Sequence, residues 1–305
     1  GLKGEVEAYA VAAREYDRAE RFAHAYGFTK AYGSYEEMLA DENVDLVYIS
    51  TPIAMHYEHV KMSISYGKNV LCEKGFVLNA SQAEEVFQLA EEKGVLLTEG
   101  IWTRYMPSRK ILEKVLDSGV IGTATSICAN LGYSLAEIER LQDIKLGGGT
   151  ILDLGIYTIN FACMAFREKV EKVAASCTKT ERGVDGQDCV TLIFEGNKIA
   201  RLFSSFLVQT DRRGMIFGEK GYAEVTNINN CEKITVYNLE REVIEEYTVP
   251  PQITGLEYEV LSCKKALSEG WLECPEMPHS ESIRMMRIMD EVRRQMGISF
   301  PAEIL

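Results

Sequence analysis

The sequence predicts an α/β protein in two parts: a doubly wound parallel sheet over residues 1–101, then an α+β domain with a large, mostly antiparallel sheet over residues 102–305. Up to Glu99, apolar strand-like runs alternate with stretches of helical periodicity, the pattern of parallel strands joined by crossover helices. From Val170, strand-like runs follow one another with only turn residues between them, which calls for antiparallel pairing. At 305 residues and 46% hydrophobic, the chain is long and apolar enough for two cores.

In order, Val6 to Ala12 reads as a strand, and Asp17 as the cap of a helix that carries Ala19, Phe22, Ala23 and Tyr26 to a stop at Gly27. Ser34 caps a short helix over Met38 and Leu39. Leu46 to Ser50 is a buried parallel strand, followed through Thr51-Pro52 by a helix ending at Gly67. Asn69 to Glu73 is the next strand and Ser81 to Lys93 the next helix, with Glu84 completing a capping box on Ser81. Val95 to Glu99 closes the series. Beyond Trp102 the sequence predicts a helix over Pro107 to Leu116, a strand over Ile121 to Asn130, and a helix over Ile151 to Phe166 behind Gly147-Gly148-Gly149. Strands follow at 170–180, 188–194, 200–209, 214–217, 222–226, 233–238 and 243–249. Helices over Leu256 to Ser268 and Ser280 to Met296 end the chain, the latter with an apolar stripe of Ile283, Met286, Ile288 and Met289 and with His279-Ser280 as its N-cap.

Charge and cysteine use narrow the function. Thirty-three basic against forty-six acidic side chains give a net charge of -13, which repels nucleic acid and anionic membranes. Eight scattered cysteines form no C-x-x-C pair and no compact framework, so free thiols in a reducing cytoplasm are expected and a metal site is not. No apolar run is long enough to span a membrane. The informative pair is Glu73-Lys74, which closes a strand at the carboxyl edge of the parallel sheet, where ligands collect. Unless the pair is only a solvated strand end, Lys74 stands where a cofactor meets its substrate.

Several motifs occur in order. Thr51-Pro52 is followed four residues on by His56, Cys72-Glu73-Lys74 by Asn79, and Glu99-Gly100 by Ile101-Trp102-Thr103-Arg104; the run Gly147 to Tyr157 reads GGGTILDLGIY. Together these resemble the glucose-fructose oxidoreductase/inositol dehydrogenase (Gfo/Idh/MocA) family over nearly the whole chain. Trp102-Thr103-Arg104 and Tyr157 are similar to its dimeric dihydrodiol dehydrogenase and xylose dehydrogenase branch. The resemblance implies a Rossmann-type dinucleotide-binding domain over 1–101 and a substrate-binding and oligomerisation domain over 102–305. It further implies an NAD(P)-dependent oxidoreductase acting on a hydroxyl of a sugar or cyclic diol, as a homodimer or higher homo-oligomer.

Two departures from that pattern matter. The family opens with a strand and a Gly-rich turn that cradles the pyrophosphate, and none precedes Val6; Gly1 and Gly4 do not supply it. The dinucleotide domain is therefore read as N-terminally incomplete, its first βα unit lying upstream of Gly1; a chain complete as it stands would bind cofactor poorly. Gly75 replaces the family's proline after the lysine, which is expected to loosen the placement of Lys74.

Cofactor choice rests on the end of the second strand of such a domain. Val11-Ala12-Ala13-Arg14 carries no carboxylate for a ribose, and Arg14 suits a 2'-phosphate, so NADP is favoured with NAD as the alternative. The competing reading is a solvent-facing arginine. Thr51, Pro52, His56, Glu73 and Glu99 fall near the cofactor by resemblance; on sequence alone His56 is equally a helix-face histidine, and Glu99 either meets the nicotinamide edge or caps the loop below it.

Oxidation of a carbinol needs a base and a positive group near the oxygen. Asp153 and Tyr157 stand four apart on a predicted helix, which the glycines before it let approach the Lys74 strand edge. Tyr157 is the expected acid/base, with Lys74 depressing its pKa and polarising the substrate oxygen and Asp153 orienting the lysine or a substrate hydroxyl. Many family members carry histidine at the position of Tyr157. Read without the resemblance, Asp153 and Tyr157 are helix N-terminal acidity and a buried amphipathic tyrosine. Trp102, Arg104 and Tyr105 either wall the substrate pocket or, for Trp102, form core at the domain junction. The competing function class is a noncatalytic nucleotide- or sugar-binding regulatory homologue that has lost turnover, which the missing turn and Gly75 favour and the intact Lys74, Asp153 and Tyr157 oppose.

Overall fold

The computed structural model describes residue 2 and residues 4–303, so the reading placed at Gly1 lies outside the described residues. β1 (Ala10–Ala12) and β2 (Lys30–Tyr32) pair in parallel across α1 (Tyr16–Tyr26), and α2 (Tyr35–Leu39) follows. β3 (Leu46–Ile49), β4 (Asn69–Glu73) and β5 (Leu97–Gly100) form a second parallel sheet, joined by α3 (Ile53–Ser65) and α4 (Ala80–Lys93). The single doubly wound sheet that the sequence suggests is thus two sheets: no hydrogen bond joins β1 to β3 among the described residues. β4 is buried along Val70–Cys72 because helices and loops cover it on both faces, which explains its unbroken apolar run.

The caps differ from expectation in two places. Glu15, not Asp17, precedes α1, with no side-chain cap, and Asp17 lies in the first turn. Asn79, not Ser81, caps α4: its side chain accepts from Gln82 N–H, while Gln82 reaches back to Leu78 N–H, so the reciprocal pair sits two residues earlier. Ser34 caps α2 as expected, accepting from Glu37 N–H.

The second half begins with a 3-10 turn at Trp102–Arg104 and α5 (Pro107–Asp117). Its eight-stranded sheet has the order β13-β12-β11-β10-β6-β9-β8-β7, from β6 (Ala124–Gly132), β7 (Val170–Lys179), β8 (Asp185–Phe194), β9 (Lys198–Ser205), β10 (Gly214–Gly218), β11 (Gly221–Thr226), β12 (Lys233–Asn238) and β13 (Val243–Thr248). Every pairing is antiparallel except β6 with β9. The helix expected over 151–166 is divided: a π-helical turn, Ile151–Gly155, leads into α6 (Ile156–Ala165).

α7 (Glu257–Glu269) and α8 (His279–Met296) return the chain to the first half, α8 packing on both α4 and β7. Met286, Ile288 and Met289 of the apolar stripe are buried, with Ile283 packed at its edge. Pro278 caps α8; His279 is its first residue, stacked 4.1 Å from the Phe87 ring with Nε2 2.8 Å from Leu97 O. One continuous apolar cluster runs through both halves. Among the described residues no helix is long and apolar enough to cross a membrane.

Candidate active site

A cavity of about 320 Å³ opens beyond the carboxyl ends of β3 and β4. Ser50, Thr51 and Pro52 line it as β3 passes into α3, Glu73 and Lys74 as β4 ends, and Arg140 and Asp153 from the second half. Residues from distant parts of the chain thus share one crevice at the edge where parallel sheets bind ligands.

Lys74 is held within it. Its ammonium donates to the backbone carbonyl of Asp153 at 2.7 Å and to Asp153 Oδ1 at 3.4 Å, and stands 4.9 Å from the centroid of the Tyr157 ring. The π-helical turn explains why a backbone carbonyl is available there, since widening the turn displaces the usual i+4 ladder; such turns recur at functional sites. Arg140 donates to the same Asp153 Oδ1 at 3.0 Å. Burial opposes ionisation of Asp153, but Lys74 and Arg140 outweigh it and hold the carboxyl below the usual carboxylate range.

Tyr157 contradicts one expectation. Burial pushes its phenol well above the ordinary value, and the negative charge of Glu73 adds to that; Trp102, which donates its indole N–H to the hydroxyl at 2.8 Å, only partly offsets them. The Lys74 ammonium, lying over the ring, does not outweigh them, so the expected net lowering is not found. The group is a neutral phenol with its oxygen pinned by Trp102.

Gly75 is also not a loose point. A side chain added there would meet Leu152 O at 3.2 Å, so the turn lies close against the π-helical turn, where glycine fits. His56 secures it from behind: Nδ1 lies 3.0 Å from Gly75 O and 3.1 Å from Phe76 O, and Nε2 2.7 Å from Thr51 O. The ring is buried, which lowers its pKa, and it braces the two loops of the crevice instead of lining the cavity.

Five further expected residues stand outside the cavity lining: Tyr157 and Trp102 behind Lys74, and Glu99, Arg104 and Arg14. Glu99 is buried beneath α8, where Oε2 accepts from Ser282 Oγ at 2.7 Å; it neither caps the loop nor reaches the cavity, and burial raises its pKa to about 7. Arg104 is a buried cation, donating to Asn160 Oδ1 at 2.5 Å and Glu281 Oε1 at 2.7 Å. Arg14 is exposed just beyond β1 with no side-chain partner among the described residues. Its charge, after burial and His56, helps lower the pKa of His59, which lies 2.9 Å from Thr51 Oγ1.

Arg140 was not legible in the sequence. It sits in a 3-10 turn, Glu139–Gln142, inside a loop without periodicity or motif. Glu259 was missed as well: it is buried on α7 with neither carboxyl oxygen hydrogen-bonded among the described residues, and burial, with Glu73 nearby, raises its pKa to about 9.

The crevice fits the reactive end of a dinucleotide. Its volume lies at the lower end of small-molecule sites, which run from about 300 to 1,000 Å³, and its lining combines two cations, Lys74 and Arg140, with carboxylate and hydroxyl groups.

Comparison with known proteins agrees with this geometry. Residues 2–101 match the model of an oxidoreductase family with an NAD-binding Rossmann fold, and residues 110–224 match the GFO/IDH/MocA C-terminal domain. The trans-1,2-dihydrobenzene-1,2-diol dehydrogenases of Macaca fascicularis and Homo sapiens are each 34% identical to this chain over 310 residues, covering 99% of it and 92% of theirs. Among solved structures, a 3-ketoreductase from Actinomadura kijaniata in complex with NADP and TDP-benzene superposes with a TM-score of 0.87 at 24% identity, covering 96% of this chain and 90% of that one. The aldose-aldose oxidoreductase of Caulobacter crescentus, complexed with glycerol, gives 0.85 at 19%, covering 94% and 88%. These two likenesses show the shared fold. With a Rossmann half, a C-terminal half and relatives matched over 92% of their length, the chain belongs to the Gfo/Idh/MocA oxidoreductase family.

Proposed function

We propose that this protein is an NADP-preferring oxidoreductase that interconverts a CH–OH group and its carbonyl on a sugar or cyclic diol. The observation that carries the reading is the Lys74 ammonium, fixed 2.7 Å from Asp153 O and beside the Tyr157 ring in the crevice beyond β3 and β4. Residues 1–101 are read as the dinucleotide-binding domain and 102–305 as the substrate and oligomerisation domain.

When bound, the nicotinamide supplies or accepts the hydride. Lys74 directs its positive charge at the substrate oxygen, where negative charge develops as the carbonyl is reduced. Tyr157, a neutral phenol at rest, delivers its proton to that oxygen and is left as phenolate; in oxidation the phenolate takes the hydroxyl proton back. Trp102 fixes the direction of the hydroxyl, and Asp153, braced by Arg140, fixes Lys74. Thr51, Pro52 and Glu73 wall the cofactor side, with His56 bracing the loops behind them. Arg14 takes the 2'-phosphate by paired charge-assisted hydrogen bonds, the basis for preferring NADP over NAD.

The dihydrodiol dehydrogenases, whose name states a cyclic diol, and the polar lining of the crevice support the proposed substrate class. A second copy of the chain is the expected partner. The ladder Phe217, Tyr222 and Tyr237, with Tyr222 stacked 4.7 Å from Tyr237, leaves aromatic surface half-exposed on the broad sheet. Eight unpaired thiols suit a reducing cytoplasm. Fluorescence titration with NADPH and NADH, followed by turnover on a panel of aldoses, polyols and a trans-dihydrodiol, tests the reading. Tighter NADPH binding and turnover of at least one hydroxyl substrate support it, and binding without turnover across the panel overturns it in favour of a noncatalytic homologue.

A further inference from the structure

Two buried carboxyl groups flank the π-helical turn that anchors Lys74. Asp185 and Asp188 stand three apart on β8, a spacing that in a regular strand points side chains to opposite faces. Here the pairing with β7 slips: Thr178 faces Gln187 but Lys179 faces Asp185, so Gly186 is the extra residue of a bulge. The bulge returns both aspartates to the buried face, where they are 0% and 2% exposed.

Each meets one end of the turn. At its start, Ile151 N–H donates to Asp185 Oδ2 at 2.6 Å, so a strand side chain does the work of a helix cap. Gly149, at φ 121°, passes so close that an added side chain would lie 2.2 Å from Asp185 Oδ1. At the far end, a side chain on Gly155 would lie 3.5 Å from Asp188 Oδ2. Ser204, the cross-strand neighbour of Asp188, has Oγ 3.2 Å from Thr158 Oγ1, which donates to Gly155 O at 2.9 Å. Neither Asp188 oxygen has a hydrogen-bond partner among the described residues.

We infer that Asp185 and Asp188 are positioning residues, a buried carboxyl pair that holds the π-helical turn, Asp185 by a hydrogen bond at its start and Asp188 by packing against its end, and so sets where Asp153 holds Lys74 and where Tyr157 begins α6. The inference rests on the oxidoreductase reading for its kinetic consequence. Two such groups under one turn do not both ionise. Burial raises Asp185 to about 7 against the hydrogen bond from Ile151 N–H, and burial and then the charge of Asp185 raise Asp188 well above the usual range. Asp188 is therefore the protonated member, and asparagine is its faithful mimic. Without the grip the turn relaxes towards α-helical winding, which carries the Asp153 carbonyl away from Lys74.

The test uses Asp185→Ala, Asp188→Leu and Asp188→Asn in a Trp271→Phe background, where Trp102, bonded to Tyr157, is the remaining tryptophan. In folded Asp185→Ala the Trp102 emission is expected to shift, with kcat reduced about tenfold or more and KM for NADPH within about twofold of the parent. Asp188→Leu behaves likewise, whereas Asp188→Asn matches the parent in both readouts. Unchanged emission and kcat in folded Asp185→Ala overturn the inference. Should Asp185→Ala fail to fold, the two Asp188 variants decide: a shift confined to leucine supports the grip, and equal behaviour of leucine and asparagine overturns it. Absence of turnover in the parent defeats the oxidoreductase reading alone, since the emission readout still judges the grip.

Discussion

At the scale of single residues, the crevice is governed by which atoms face which charge. Lys74 meets the π face of Tyr157, so the phenol feels burial and Glu73 more than the ammonium and stays protonated. That suits a proton donor that does not compete with Lys74 for the substrate oxygen's negative charge. Arg14 makes a separate test at the cofactor's far end. For Arg14→Ala, NADPH affinity is expected to fall by about 1.5–3 kcal/mol, the scale of a hydrogen bond between charged groups, with NADH little affected. Isothermal titration with the two cofactors checks this, and equal losses would remove the phosphate contact. Lys74 was legible because it ends an apolar run whose strand character is unmistakable. Arg140 was not, since its role arises only when an irregular loop folds back onto Asp153, 13 residues away. Arg104 and Glu99 misled for a related reason: their motif lies beside the crevice, but β5 and the 3-10 turn direct both side chains towards α8.

At the scale of elements, His56 on α3 braces the loop leaving β3 and the turn leaving β4, so the helix acts as a spacer between the two walls of the crevice. Replacing it with alanine leaves a cavity and up to three buried carbonyls without their partner. A loss of about 2–4 kcal/mol in unfolding free energy is expected, from the cavity and the lost hydrogen bonds together. Chemical denaturation measures it, and a change within experimental scatter would show that the loops hold themselves. Element types were readable because apolar periodicity reports burial directly. The π-helical turn was invisible: periodicity predicts one continuous helix over 151–166, and the widening depends on Asp185 from a strand more than thirty residues downstream. The cap of α4 shifted for a simpler reason. Asn79-x-x-Gln82 and Ser81-x-x-Glu84 both satisfy the capping pattern, and the loop from Gly75 delivers the chain to the first.

At the scale of the molecule, four buried acids set an acid-leaning stability profile. Glu99 and Asp185 are raised to about 7, Glu259 to about 9 and Asp188 well above the usual range, each chiefly by burial. Between the ordinary carboxylate range and these values the folded chain keeps protons that the unfolded chain has released, so stability falls as pH rises through that window. Asp153 and Glu303, whose values are lowered, lose their contribution only at more acidic pH; His56 and His59, lowered by burial, oppose the trend below about 6.5 but are outnumbered by the four acids. A decrease of several kcal/mol from about pH 5 to about pH 9 is expected, smaller in Glu259→Gln, and a flat or rising profile in urea unfolding would contradict it. The same molecule must bring a lysine from β4 and a tyrosine from α6 to one substrate oxygen, and the most direct measurement of that claim is substrate-dependent formation of reduced nicotinamide by the parent and by Lys74→Met. The parent is expected to turn over a sugar or diol while the variant, equally folded and still binding NADPH, shows no detectable turnover; near-normal activity in the variant would contradict the account.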